Sequence, residues 1–227
     1  METVDAIILS NTQDLSFYGL TQRTINTLRW SESDINFDIK VVETNSDIES
    51  QGFIYDACTV VKPNEKFNYN KFLNYGLEHC KNEWLIVCNN DLIFTKNWFT
   101  NLLQVHKQDP SIKSLCPFEP EWHVNKGLSP DGGVYFGYRT SYEIAGWCMA
   151  IHREIIEKCD LFDPEFAFWY QDNDYAETIR HAGYKHALVC NSRVYHMVSK
   201  SHELLGSDRH SMTSGQQKPF ADKWLKR

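Results

Sequence analysis

The chain has 227 residues and a formal charge of −7, enough length for one well-buried α/β domain and one active site. The acid excess excludes a broad phosphate-binding surface of clustered Lys and Arg, so no stable nucleic-acid partner is expected. No apolar run approaches the ~20 residues of a transmembrane helix, the opening METVDAIILSN carries acids where a secretory leader carries bases, and the seven scattered cysteines form no C-x-x-C pair, so a cytosolic protein with reduced thiols is expected.

Residues 5–10 form an apolar run that gives way to polar Asn11 and Asp14, as a buried strand does when it feeds a loop at its carboxyl end. Leu20, Ile25 and Leu28 mark an amphipathic helix over residues 19–30, and residues 39–42 make a second strand ending at Glu43. Tyr69, Phe72, Leu73, Leu77 and Cys80 recur at three- and four-residue intervals, which predicts a helix over residues 68–80. A third buried strand, residues 84–88, stops at Asn89, Asn90 and Asp91. Cys58, Cys88, Cys116 and Cys190 read as core residues in strand-like runs. Strands alternating with helices predict a mainly parallel sheet, which binds ligands beyond the carboxyl ends of its strands. Ser10, Glu43 and Asp91 share that edge.

The second half is less regular. Residues 117–147 are rich in aromatics and glycine, and a short helix follows near 153–159. Asp172 opens a further helix with Tyr175, Ala176 and Ile179 on its apolar face and Gly183 at its stop. A strand through Leu188 and Val194 leads to His196, and beyond Ser199 the chain shows no periodicity, so a loop or tail that orders on substrate binding is expected.

Three places carry candidate chemistry. Asn89, Asn90 and Asp91 either present oxygen ligands for magnesium or manganese or simply turn the chain after a strand. Asp172 and Asp174 either cap a helix or place a carboxylate beneath Phe168, Trp169 and Tyr170, where desolvation raises its basicity. His196, at a strand end on the binding edge, is better placed as a metal ligand than the other histidines.

Taken in order, AIILSN, VVETNSD, NYNKFLNYGL, WLIVCNNDLIF, GWCMAIHREIIEKCDLFDPEF, WYQDNDYAETIRHAGYK and VYH resemble family 2 glycosyltransferases of the GT-A fold, from about Asp5 to Ser201. The resemblance implies a single GT-A, Rossmann-like α/β domain. Its nucleotide-sugar half covers about 1–95, an irregular acceptor half about 96–200 and a tail about 201–227. It implies that Ser10, Asn11 and Glu43, with Asn74 and Asn90, hold the donor, a uridine diphosphate sugar being the first expectation. It implies Asn89, Asp91 and His196 at a divalent metal, manganese or magnesium, and Asp172 as the base that takes the acceptor's proton. Gly146, Trp147 and Trp169 line the acceptor site; the acceptor is a hydroxyl of a glycan, a lipid-linked sugar, a protein or a modified nucleobase. Three positions depart from the family's habit: Glu43 and Asn89 where Asp is common, and Gln171 where Glu is common. Two rivals stand beside this reading: a glycoside hydrolase pairing Asp172 with Asp174 or Glu143, and a noncatalytic nucleotide-sugar or glycan binder.

Overall fold

The computed structural model describes residues 1–197, 210 and 213–226. Nine strands form one sheet in the order β3-β2-β1-β4-β8-β6-β9-β5, with β7 added on β9. They are β1 (Glu2–Ser10), β2 (Ile35–Glu43), β3 (Thr59–Val61), β4 (Trp84–Asn89), β5 (Leu92–Phe94), β6 (Ile112–Phe118), β7 (Val134–Phe136), β8 (Cys148–His152) and β9 (Lys185–His196). The helices are α1 (Leu15–Trp30), α2 (Tyr69–Leu77), α3 (Trp98–Gln108), α4 (Pro120–Asn125), α5 (Arg153–Lys158), α6 (Gln171–His181) and α7 (Gln217–Trp224).

Strands β3, β2, β1 and β4 pair in parallel, and β8 enters antiparallel between β4 and β6. Because β6 opposes β8 and β9 runs parallel to β6, both point the way of β1. The mainly parallel sheet expected from sequence is present, and β5, β7 and β8 run against it.

Local chemistry starts the helices. Asp14 caps α1, its Oδ1 accepting from the Ser16 and Phe17 amides at 2.8 and 3.1 Å, so α1 begins a turn before the periodicity shows. Asn68 caps α2 by accepting from Lys71 N–H at 2.9 Å.

Helices cover both faces of the sheet. On one, Ile25 and Leu28 of α1 and Trp98, Phe99 and Leu102 of α3 pack against Ile8, Phe37 and Trp84. On the other, Phe72 and Leu73 of α2, Ile155 of α5 and Tyr175 and Ile179 of α6 pack against Ile7, Val87 and Met149. Ile7 and Ile8 serve opposite layers because neighbouring strand residues point to opposite faces. Gly76 lets α2 settle on β1, since a Cβ there would lie 2.9 Å from Ile7 Cγ2.

Several details correct the sequence reading. Residues 117–147 are more regular than expected, holding α4 and β7. Cys88, Cys116 and Cys190 do lie in strands, whereas Cys58 sits in a bend before β3; all seven thiols are free. Part of the expected tail is helical: α7 docks on α6, and residues 201–209, 211, 212 and 227 of that tail lie outside the described set. Among the described residues, no helix is long and apolar enough to cross a membrane.

Candidate active site

The carboxyl ends of β2, β1 and β4 meet at one edge. Ser10 lies in register with Glu43, and Leu9 with Asn89. After Asn89 the chain turns through Asn90 and Asp91 into β5, whose ladder with β9 places Leu92 opposite His196. That ladder brings distant residues together: Met197 N–H donates to Asp91 O at 2.9 Å, and His196 Nε2 lies 3.2 Å from Asp91 Oδ1. Asp91 is buried, 3% exposed, while the His196 ring stacks on Trp147 at 5.7 Å between centroids.

The 3.2 Å separation bears on a metal. Adjacent ligands at ~2.1 Å on an octahedral cation stand about 3.0 Å apart, so the carboxylate and imidazole oxygen and nitrogen fit one shared magnesium or manganese. Among the described residues, no group of three or more His, Cys, Asp and Glu forms a metal cage. Two protein ligands with substrate phosphates completing the shell is a usual arrangement for magnesium.

The path from this pair to Asp172 is continuous. Asn89 N–H donates to Trp147 O at 2.9 Å, which holds the 145–147 loop on the end of β4. Next to Trp147, Gly146 abuts the first turn of α6: a Cβ on it would stand 3.1 Å from Asp172 Cβ and 3.4 Å from its Oδ2. Tyr69 OH donates to Gly146 O at 3.4 Å from behind. Asp172 retains a route to solvent, yet its carboxyl is enclosed by protein, and burial raises its pKa above the ordinary carboxylate value. Its Oδ1 accepts from the Asn173 amide at 2.9 Å. No cation pairs with it among the described residues.

The donor-side residues are held less simply. Glu43 Oε1 accepts from Thr12 and Asn45 N–H at 3.1 and 2.8 Å, and Oε2 accepts from Tyr55 OH at 3.1 Å. Glu43 therefore organises the loops after β1 and β2. Ser10 Oγ faces inward to Thr21 Oγ1 at 3.0 Å and Tyr55 OH at 3.1 Å. Asn90 donates to Thr21 Oγ1 at 2.9 Å, and Asn74, on α2, donates to Phe162 O at 3.0 Å. Asn11 accepts from the Gln13 side chain at 2.6 Å, on the more open loop. Trp169 projects into solvent, 46% exposed.

The structure thus gathers Asn89, Asp91, His196, Trp147, Gly146 and Asp172 along one path, places Ser10, Glu43 and Asn90 at the neighbouring strand ends, and sets Asn74 against the loop at Phe162. Thr12, Thr21 and Tyr55 complete the network around Ser10 and Glu43, and no spacing signal in the sequence singles out such a hydroxyl cluster. The two acids named as hydrolytic partners are engaged elsewhere. Glu143 takes Arg139 Nε on both oxygens at 3.1 Å, and Asp174 faces α7.

No curated protein sequence matches the chain. The fold superimposes on GalNAc-T7, solved with UDP, GalNAc and Mn2+, at a TM-score of 0.63 and 15% identity over 86% of this chain and 44% of that one. It also superimposes on the mannosyltransferase PcManGT of Pyrobaculum calidifontis, solved with GDP-Man and Mn2+, at 0.61 and 16% over 88% and 59%. The chain spans less than two thirds of either, and the likeness is one of fold, that of GT-A glycosyltransferases. The sequence profile described as Glycosyl transferase family 2 matches residues 18–159. That stretch encloses Glu43, Asn89, Asp91, Gly146 and Trp147 and stops before Asp172 and His196. It covers more than half of the sequence, and the chain belongs to glycosyl transferase family 2.

Proposed function

We propose that this protein transfers a sugar from a nucleoside diphosphate to an acceptor hydroxyl by an inverting displacement. The observation that carries the reading is the 3.2 Å approach of His196 to Asp91 beyond β4, with the His196 ring on Trp147, whose neighbour Gly146 abuts Asp172. Asp91 and His196 would hold a divalent cation, which would supply positive charge to a departing diphosphate. Asn89, at the same strand end, borders it. Its amide in place of a carboxylate leaves fewer negative ligands, so metal binding leans on the nucleotide.

Asp172 accepts the proton of the attacking hydroxyl. Its enclosed carboxylate has no cation to share its charge, and a general base of this kind contributes about 100- to 10,000-fold. Trp147 and Gly146 form the wall between leaving group and base. The Trp147 Nε1–H is buried without a hydrogen-bond partner among the described residues, leaving a donor for a substrate oxygen. Asn11 and the loop that Glu43 organises border the nucleoside, and exposed Trp169 offers a ring to an acceptor sugar. The relatives' complexes hold UDP and GDP-mannose, which supports a nucleotide-sugar donor with uracil and guanine as the bases to test first.

Calorimetric titration of UDP and GDP with manganese and with EDTA, followed by turnover of the corresponding sugar donors by wild type and Asp172→Asn, tests this reading. Metal-dependent nucleotide binding with loss of turnover in the variant is expected. Metal-independent affinity overturns the cation site, and a fully active Asp172→Asn overturns the base.

A further inference from the structure

The first turn of α6 carries a second aspartate with a different environment. Asp174 is 2% exposed, and its Oδ1 accepts from Lys223 Nζ at 2.8 Å and from Trp224 Nε1 at 2.7 Å, both from α7. Lys223 also reaches Asp163 Oδ2 at 2.7 Å, so one ammonium ties both ends of the 163–174 segment. Trp224 stacks on His181 at 4.8 Å, and Phe220 meets Phe166 and Tyr170 at 6.4 and 5.3 Å. Gln216 Oε1 accepts from Ala167 N–H at 2.9 Å.

These contacts bracket a strained turn. Tyr170, just before α6, has φ +64° and offers no side-chain cap bond to the helix. A bulky side chain in the left-handed region is strained and persists only where its surroundings over-determine it. The helix starts instead with Asp174 N–H donating to Tyr170 O at 2.8 Å. α7 grips both ends of that bond, Tyr170 by its ring and Asp174 by its carboxylate. Asp172 sits between them.

We propose that α7 is a positioning element for Asp172: Lys223 and Trp224, by fixing Asp174, hold the strained first turn of α6 so that the Asp172 carboxylate faces the site. This rests on Asp172 being the base. Lys223 and Trp224 touch no reacting atom, and both lie beyond the span matched to the family. A helix from the far end of the chain therefore sets the aim of the catalytic group.

The test uses the full-length protein with three substitutions: Lys223→Met, Trp224→Phe and the conservative Lys223→Arg. Trp224→Phe keeps an aromatic ring beside His181 and removes the N–H donor together with part of the indole's area. Lys223→Met and Trp224→Phe are expected to lower kcat about 10- to 100-fold, as misplacement of a reacting group by up to ~1 Å does. The donor KM and the UDP or GDP affinity in manganese should stay within about twofold, because Asp91, His196 and the Glu43 loop are untouched. Lys223→Arg should recover most of kcat. Wild-type kcat in Lys223→Met and Trp224→Phe overturns the proposal, as does a fall in kcat matched by an equal loss of nucleotide affinity, the mark of general unfolding. Asp172→Asn, run in parallel, separates the two claims: its full activity sinks the base assignment, whereas its inactivity beside unimpaired α7 variants sinks only the positioning role.

Discussion

Gly146→Ala probes the contact between the metal-side wall and the base with a single methyl. The new Cβ falls 3.1 Å from Asp172 Cβ, 3.2 Å from Gln171 Nε2 and 3.4 Å from Asp172 Oδ2. Non-bonded carbons settle at about 3.5–4.0 Å, so at least a few tenths of an ångström must be relieved. The Gln171 amide can swing aside. Asp172 Cβ cannot, because the turn that bears it is bonded from Asp174 N–H to Tyr170 O, and Gly146 O is held by Tyr69. Relief therefore comes by displacing the carboxylate. Overpacking typically costs ~1–3 kcal/mol, and a single relaxing contact belongs at the low end. About 1 kcal/mol lowers Tm by about 2–4 °C in a domain of this size. If ~1 Å of misplacement costs about 100-fold, a few tenths cost roughly 5- to 10-fold in kcat. The assay is kcat at saturating donor and acceptor, with nucleotide affinity in manganese and Tm measured on the same preparation. Unchanged kcat would refute the view that the Gly146 backbone is the surface on which the Asp172 carboxylate rests.

Further outcomes follow from the same contacts. Burial raises the folded pKa of Asp172 above its unfolded value, so the native state binds the extra proton between the two, and the stability this gives is present below the unfolded pKa and lost as pH rises through the folded one. Asp172→Asn should therefore melt higher than wild type at neutral pH but not at pH 3; equal melting curves at both would contradict the desolvation. Turnover by the wild type should fall on the acid side with a limb above the ordinary Asp range, and a limb at pH 3.8 or below would exclude Asp172 as its source. Trp147→Phe should weaken nucleotide-sugar binding or turnover by about 2- to 10-fold, the worth of one hydrogen bond. Its Tm should fall by a few degrees as well, because the buried indole packs in the core and on His196; a Tm loss without any functional effect would show the indole to be purely structural. Glu43→Ala strips an acceptor from Thr12 N–H, Asn45 N–H and Tyr55 OH at once. Tyr55 OH keeps Ser10 Oγ as a partner, so two amides are stranded, and at ~1–3 kcal/mol for each the variant should lose about 2 kcal/mol or more in urea melts, whereas a purely nucleoside-contacting Glu43 would leave stability intact.

The sequence was most readable where strands are buried on both faces. β4 and the second half of β1 (residues 6–9) are apolar runs, β2 closes on Val41 and Val42, and each meets polar residues at its carboxyl end, which is the site edge. Strands β5 and β7 have three residues each, too short for any periodicity to register. β8 reads as apolar, yet nothing in CMAIH says that it runs antiparallel between β4 and β6, a fact of pairing partners rather than of composition. Helix α7 hid for another reason: QKPFADKW has only Phe220 and Trp224 as large apolar residues, and it docks through a buried ion pair that no hydropathy pattern encodes. The Glu43 departure is similar in kind. Sequence marks the acid at the end of β2, and only the surrounding N–H and O–H groups reveal that both oxygens are committed to loop architecture.

The two aspartates of QDND show why residue type alone does not separate the proposed base from an anchor. Positions two apart on an α-helix point about 200° away from each other, so Asp172 and Asp174 necessarily meet different surroundings. Asp174 faces α7 and is matched by an ammonium and an indole N–H; Asp172 faces the Gly146 backbone and receives only an amide. Burial lifts both pKa values, and Lys223 and Trp224 oppose that rise at Asp174 alone. A neutralised carboxylate is a poor proton acceptor and a good anchor; an unpaired, desolvated one is the reverse. The division of labour is set by what lies across from each face of one helical turn, and that includes a helix from the other end of the chain.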